Sequence, residues 1–147
     1  MLKVLIAEDD LMIADAAEEV LVRSGYEVCG IARTVAAAVA LGRLHKPDLA
    51  IVDLRLADGG IGTDIPAQLS GLDRCGILYA TGNVARLLLA HAEGDACLAK
   101  PYRAADLLRS LELVAEIVAT GTATSPFPQG FRLLSSATQP GVEVSHA

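Results

Sequence analysis

Two hydrophobic patterns alternate along the first 119 residues of the chain. Short apolar runs typical of buried strands are separated by stretches in which apolar residues recur at the spacing of an amphipathic helix. Strands are predicted over residues 3–7, 26–32, 48–53, 77–80 and 96–99. Helices are predicted between Asp10 and Gly25, from Thr34 to Leu44, and over residues 63–69, 84–91 and 104–119. This alternation indicates a parallel sheet covered on both faces, so we expect an α/β fold.

Local signals mark the predicted helices. Asp10 and Thr34 stand where an N-cap residue is expected. The second helix is predicted to carry Val35, Val39 and Leu44 on one side. The last helix is predicted to pack through an apolar stripe made of Leu107, Leu108, Leu111, Val114, Ala115 and Val118.

The composition changes after residue 119. From Thr120 onward Gly, Thr, Ser and Pro predominate and no periodic pattern survives, so we expect one domain over residues 1–119 and an irregular tail over 120–147. The tail nevertheless contains both phenylalanines of the chain, Phe127 and Phe131, followed by Leu133 and Leu134. These residues give part of the tail a means to dock on the domain or on a partner.

Charge and composition exclude several classes of protein. The formal net charge of −6 and the scattered arginines argue against binding to a nucleic-acid backbone, which requires clustered Lys and Arg. No apolar run approaches the roughly 18 residues of a membrane span. No secretory signal follows Lys3, so we expect a cytoplasmic protein without a membrane contact. The 3 cysteines are widely spaced, which indicates neither a disulfide framework nor a zinc site.

Polar residues stand at the carboxyl ends of four predicted strands. Glu8 and Asp9 follow the first strand, Asp53 ends the third, Thr81 follows the fourth and Lys100 follows the fifth. Because sites in open parallel sheets form outside these ends, we expect the five side chains to share one rim. Three carboxylates there would repel one another unless a cation lies among them. Oxygen ligands that leave room for water favour magnesium over zinc.

Most of these residues also have a plain structural explanation. Glu8 and Asp9 could supply the negative charge that stabilises a helix N-terminus. Asp53 could be a polar strand end, and Thr81 a turn residue. Lys100 is harder to explain in this way, because it follows four small or apolar residues in a chain with only three lysines.

Together the residues describe phosphoryl transfer to a carboxylate. Asp53 would supply the attacking oxygen, and the Thr81 hydroxyl would hydrogen-bond one phosphoryl oxygen. Magnesium and Lys100 would offset the charge on the equatorial oxygens.

Four segments, in their order and spacing, resemble the receiver domain of bacterial two-component response regulators. They read Val-Leu-Ile-Ala-Glu-Asp-Asp, Pro-Asp-Leu-Ala-Ile-Val-Asp-Leu, Leu-Tyr-Ala-Thr-Gly and Leu-Ala-Lys-Pro-Tyr, and the resemblance covers about residues 2–119. It implies a three-layer, doubly wound, flavodoxin-like fold with five parallel strands in the order 2-1-3-4-5.

The resemblance assigns a reaction and a metal to the acidic residues. It implies that Asp53 accepts a phosphoryl group from a phosphohistidine on a sensor histidine kinase or a histidine phosphotransfer protein. It also implies that Mg²⁺ is held by Asp9, Asp53 and the backbone carbonyl of Arg55, with Glu8 assisting. Arg55 and Asn83 stand where residues of the family tune the lifetime of the phosphoryl group.

The resemblance matches Thr81 and Lys100 to residues that bind the phosphoryl group and couple it to a shift of the surface. One departure concerns Cys97, three positions before Lys100, where many receivers carry an aromatic switch residue. Tyr79 and Tyr102 are the candidates to replace that ring.

About 28 residues follow residue 119, too few and too irregular for a helix-turn-helix domain. We therefore expect a stand-alone receiver that does not bind DNA directly and signals to a downstream protein through its last and fourth predicted helices. A phosphorylation-dependent homodimer is a further possibility. Catalysis would be limited to self-phosphorylation and slow self-dephosphorylation, so we do not expect an ordinary enzyme.

Three other interpretations fit the residues less well. A haloacid-dehalogenase-type hydrolase needs an acid two residues after the nucleophile, where this chain has Arg55. A degenerate receiver that serves only as a binding module would be expected to lack Asp53 or Lys100. A flavin or nucleotide binder needs a Gly-rich or Ser/Thr-rich phosphate loop after the first strand. In this chain Glu8, Asp9 and Asp10 stand there and would repel phosphate.

Overall fold

The computed structural model describes residues 1–69, 74–82 and 94–134. Its strands are β1 Lys3–Ala7, β2 Glu27–Ala32, β3 Leu49–Asp53, β4 Gly76–Thr81, β5 Ala96–Ala99 and β6 Phe131–Leu133. Its helices are α1 Leu11–Arg23, α2 Val35–His45, α3 Ile65–Gln68 and α4 Ala104–Thr120, with a 3-10 turn Gly62–Asp64 before α3. The predicted helix over 84–91, Asn83 and residues 135–147 lie outside the described residues.

The sheet has the predicted parallel order. Strands β2, β1, β3, β4 and β5 follow one another in space, and each neighbouring pair is parallel. The expected flavodoxin-like α/β fold is therefore confirmed. A sixth strand that the sequence did not predict, β6, continues the sheet by pairing antiparallel with β5.

Both faces of the sheet are buried because alternate residues of the central strands point to opposite sides. Leu5 and Ala7 of β1 belong to one core cluster, together with Val39 of α2 and Ile65 of α3. The other parity of β1 belongs to a second cluster, which also contains Ala14, Ala17 and Leu21 of α1 and Leu107, Leu111 and Val114 of α4. Helices α1 and α4 thus cover one face, and α2 and α3 cover the other.

The predicted N-caps are confirmed. The Asp10 side chain accepts hydrogen bonds from the backbone N–H groups of Met12 and Ile13, and Thr34 accepts one from Ala37. The expectation that Leu44 shares the packed side of α2 is wrong, since Leu44 is 73% exposed. Gly42, in the same last turn, is buried, so that turn is packed. Leu44 follows Val39 by five residues, which turns its side chain about 140° around the helix, away from the packed side.

The segment after α4 differs from the irregular tail that its composition predicts. Its strand β6 is only three residues long, which is too short to produce a periodic signal. Ala123 is fully buried, and Phe127 and Phe131 pack on Leu113 and Ile117 of α4. The apolar surface of α4 is therefore wider than the predicted stripe.

Replacing Thr34 by Ala should destabilise the fold without touching the strand ends, because it removes the acceptor for the Ala37 N–H. We expect the free energy of unfolding to fall by about 1 kcal/mol, measured by urea denaturation. Thr34→Ser, which keeps the hydroxyl, is the control and should retain most of the stability. Equal losses in both variants would contradict the assignment of Thr34 as an N-cap.

Candidate functional site

The carboxyl ends of the strands carry the charged residues that the sequence singled out. Glu8 and Asp9 follow β1 directly, Asp53 is the last residue of β3, and Lys100 follows β5. The backbone before each residue is paired with neighbouring strands, so the sheet fixes where the side chains begin. The parallel arrangement therefore delivers all four groups to one rim, as predicted.

Three carboxylates and one ammonium group form a compact cluster at this rim. Glu8, Asp9 and Asp53 each offer an oxygen, and these oxygens lie within 4.8 Å of one another. The Lys100 Nζ lies 2.6 Å from Glu8 Oε1 and 3.3 Å from Asp53 Oδ2. The Lys100 ammonium therefore bridges carboxylates from two separate strands.

Burial shapes the electrostatics of this cluster. Glu8 is 6% exposed, and this burial, together with the nearby Asp53, raises its pKa to about 7 although the hydrogen bond from Lys100 opposes the rise. Burial alone would lower the pKa of Lys100, but the hydrogen bonds and charges of Glu8 and Asp53 outweigh it and raise that pKa. Burial therefore opposes the charged form of Glu8, whereas its acidic neighbours favour the charged form of Lys100.

The cluster fits a hard divalent cation. All the side-chain donors are carboxylate oxygens, and a fully ionised cluster has two negative charges in excess of the Lys100 charge. Asp9 and Asp53 are half-buried, which leaves their outer sides open to water. Magnesium prefers a few carboxylates and retains several waters, so this donor set suits it.

The structure places Thr81 and Arg55 next to the cluster. Thr81 is the last residue of β4, and its backbone carbonyl accepts a 2.7 Å hydrogen bond from the Lys100 N–H. Its hydroxyl donates to the Gly82 carbonyl at 2.8 Å rather than to a carboxylate. Arg55 is exposed, and its backbone N–H lies 3.5 Å from Asp53 Oδ1. The roles of the Thr81 hydroxyl and the Arg55 carbonyl stay predictions.

The two tyrosines that could replace the missing aromatic switch occupy different environments. Tyr79 is fully buried in β4, in the same core cluster as Cys97. Tyr102 lines a small cavity with Glu8 and Asp53, and burial raises the pKa of its hydroxyl. Of the two, Tyr102 is therefore the ring that lies beside the charged cluster.

Gly62 is a site residue that the sequence analysis missed. The loop after β3 folds back on itself, with Arg55 bridged to Ile61 and the Gly62 N–H donating to Leu54 O at 2.8 Å. A methyl group on Gly62 would overlap the Asp53 carbonyl oxygen and lie 2.6 Å from a Val52 methyl. A glycine in a loop is too common for this contact to be read from sequence.

An apolar groove beside the cluster was also missed. It has a volume of about 520 Å³, and Lys100 is one of its lining residues. Its walls are Met12, Ile13, Ala16, Ala17 and Val20 of α1 and Pro101, Tyr102, Ala104 and Leu107 around the start of α4. Met12 is 83% exposed. An apolar residue at the start of α1 was the one feature of the sequence that could have indicated this groove.

The three cysteines show neither a disulfide nor the environment of a reactive thiol. Cys29, Cys75 and Cys97 are all unbridged. Burial raises the pKa of each thiol, that of Cys75 to about 12, which disfavours the reactive thiolate. No helix among the described residues is both long and apolar enough to span a bilayer.

The sheet order and the acidic rim define a flavodoxin-like α/β protein with a carboxylate–lysine cluster at the ends of its parallel strands. Residues 4–112 match the family model of the response regulator receiver domain. The chain belongs to this family, whose members act in two-component signalling as phosphoacceptors rather than as classical enzymes.

Two curated relatives extend the comparison. Over 114 residues the chain is 34% identical to the transcriptional regulatory protein PdtaR of Mycobacterium tuberculosis, covering 76% of this chain and 55% of the relative. Over 107 residues it is 33% identical to the phyllosphere-induced regulator PhyR of Methylorubrum extorquens, covering 71% of this chain and 40% of the relative. The chain thus spans about half the length of the curated relatives it matches.

Solved structures show the same architecture. A CheY-like receiver domain protein from Methanospirillum hungatei is 26% identical with a TM-score of 0.72, covering 81% of this chain and 97% of that one. The receiver domain of PhyR from Erythrobacter litoralis is 25% identical with a TM-score of 0.71, covering 86% of this chain and 95% of that one.

Replacing Gly62 by Ala should weaken Mg²⁺ binding, because the added methyl must push the Asp53 carbonyl and the following backbone away from their positions. We expect a loss of stability of roughly 1–3 kcal/mol together with a lower Mg²⁺ affinity, measured by calorimetric titration. Gly25→Ala is the control: its φ of 94° strains an alanine, yet no atom lies within 4 Å of the added carbon. An unchanged Mg²⁺ affinity in Gly62→Ala would contradict the assignment of Gly62 as a residue that holds the backbone at Asp53 in place.

Proposed function

We propose that the chain is a response regulator receiver in which Asp53 accepts a phosphoryl group from a phosphohistidine, in a Mg²⁺-dependent reaction that switches a protein-interaction surface. The donor would be a sensor histidine kinase or a histidine phosphotransfer protein. The observation that carries the proposal is the meeting of carboxylates from β1 and β3 with the Lys100 ammonium, within 2.6 and 3.3 Å of Glu8 and Asp53.

The residues that would hold Mg²⁺ are Asp9, Asp53 and the Arg55 carbonyl, with Glu8 assisting. When bound, the ion would supply positive charge against the phosphoryl oxygens. A cation would also favour the ionised form of Glu8, whose pKa is about 7 in its buried position. The surplus of acidic groups is the feature that supports a divalent ion.

The transfer would form one bond and break another. A carboxylate oxygen of Asp53 attacks phosphorus, the bond between phosphorus and the donor's imidazole nitrogen breaks, and the imidazole retains the electron pair. Lys100, already 3.3 Å from Asp53, is placed to meet a phosphoryl oxygen. The Thr81 hydroxyl would reach a second oxygen by giving up its hydrogen bond to the Gly82 carbonyl. Later hydrolysis of the aspartyl phosphate would be slow.

The groove between α1 and the start of α4 is the surface proposed to receive the phosphodonor. It is lined mainly by apolar side chains and reaches Lys100, so an apolar segment seated in it would lie beside the phosphoacceptor. A partner protein is favoured over nucleic acid because the net charge is −6.

Output is proposed to pass to a downstream protein rather than directly to DNA. PdtaR is called a transcriptional regulatory protein, and a Bartonella quintana PhyR is called an anti-anti-sigma factor. A phosphorylation-dependent homodimer is an alternative form of the same switch.

Incubation with acetyl phosphate and Mg²⁺ should add the mass of one phosphoryl group to the wild-type protein. Intact-mass spectrometry measures this increase. Asp53→Asn should stay unmodified because it removes the nucleophile. Lys100→Met should react roughly 100-fold more slowly, since it removes a positive charge aimed at the transferred group.

The control for these variants is Asp64→Asn, which neutralises the exposed carboxylate at the end of the 3-10 turn before α3 and should react like the wild type. A wild-type protein that gains no mass would refute the proposal. Modification of Asp53→Asn to the wild-type extent would show that the acceptor is another residue.

A further inference from the structure

The segment after α4 is built against the strand that carries Lys100. We call residues 121–134 the C-terminal strap. Strand β6 within it pairs antiparallel with β5, matching Leu98 with Phe131 and Ala96 with Leu133. The strap thus covers the side of β5 that faces away from β4.

We propose that the C-terminal strap is a positioning element for Lys100, which holds the end of β5 so that the ammonium group reaches the phosphoryl group on Asp53. The inference rests on the proposed function. It assigns a role in the reaction to a segment that contributes no group to the charged cluster.

Two backbone hydrogen bonds hold the end of β5 from opposite sides. The Ala99 N–H donates to the Gly130 carbonyl of the strap at 3.0 Å, and the Lys100 N–H donates to the Thr81 carbonyl of β4 at 2.7 Å. At the other end of β5, the Leu134 N–H donates to the Asp95 carbonyl at 3.1 Å. Without the strap, this four-residue strand would be anchored on one side alone.

The turn that leads into β6 fits closely against the end of β5. Gly130 has a φ of 84°, which favours glycine, and a methyl group there would lie 3.2 Å from the Ala99 side chain. The Phe131 N–H donates to the Pro128 carbonyl at 3.1 Å, which closes the turn. The strap therefore approaches the backbone one residue before Lys100.

The strap is itself fastened to α4 by polar and apolar contacts. The Arg109 guanidinium donates to the Thr124 carbonyl at 3.0 Å and to the Pro126 carbonyl at 3.2 Å. Phe127 and Phe131 have ring centroids 5.1 Å apart and pack on α4. These anchors make the strap a fixed support for β5 rather than a loose extension.

Anchoring matters because a lysine side chain has four flexible bonds, and its reach depends on where its backbone is held. A small displacement of a group that stabilises the transition state can lower the rate of reaction severely. The carboxylates that would bind Mg²⁺ stand at the ends of β1 and β3, and neither strand is a neighbour of β6 in the sheet. Loosening the strap should therefore slow phosphorylation without weakening Mg²⁺ binding, because any withdrawal of the Lys100 charge from Glu8 and Asp53 favours a cation there.

The test compares Arg109→Gln, and separately Phe131→Ala, with the wild-type chain. Hydrogen exchange of the amides in β5 reports whether the strap has loosened, and intact mass reports the rate of phosphorylation by acetyl phosphate. We expect faster exchange in β5, a rate roughly tenfold lower and no loss of Mg²⁺ affinity. Arg23→Gln, which removes an exposed arginine that pairs within α1, and Thr34→Ala, which lowers stability elsewhere, are the controls.

A double-mutant cycle separates positioning of Lys100 from a general loss of stability. In the Lys100→Met background, Arg109→Gln should cause no further fall in the residual rate. Faster exchange in β5 with a wild-type rate would overturn the inference, as would exchange unchanged in both strap variants or a rate loss no greater than that of Thr34→Ala. If the wild type itself gains no phosphoryl group, the proposed function fails and not merely the role of the strap.

Discussion

Repulsion among three carboxylates is the constraint that governs the charged rim of the sheet. Parallel strands bring Glu8, Asp9 and Asp53 to one rim, where like charges lie close together in partly buried surroundings. Lys100 offsets part of this repulsion through contacts of 2.6 and 3.3 Å, and a divalent ion could offset the remainder. The rim therefore keeps an electrostatic cost that the proposed binding of a cation would relieve.

The positions of the charged residues at the rim depend on the sheet, whereas the stability of the sheet depends little on those residues. The central strands are buried on both faces by aliphatic side chains, and their register sets where each charged side chain starts. Such a core tolerates charge at its edge because the hydrophobic burial that stabilises it lies elsewhere. The charged cluster and the hydrophobic core that stabilises the sheet therefore occupy separate parts of the molecule.

Much of the fold could be predicted from sequence because its signals are local. Apolar runs identified the five parallel strands, and Asp10 and Thr34 identified two helix starts, since a cap is a relation between neighbouring residues. The clustering of the charged residues could be predicted because each ends or follows a strand, and all strands of a parallel sheet end at one rim. What could not be predicted depends on contacts distant in sequence: the fit of Gly62 against Asp53 requires a loop conformation, and β6 is defined by pairing with β5 rather than by its own composition.

The antiparallel direction of β6 has a geometric consequence. Because β6 runs opposite to β5, the chain reaches Leu134 beside Asp95, at the amino end of the sheet. Leu134 therefore lies at the pole opposite to Asp53, a separation along the strand direction of roughly 13 Å for the four residues of β5. Asp53 and the end of β6 are thus separated by the full height of the sheet.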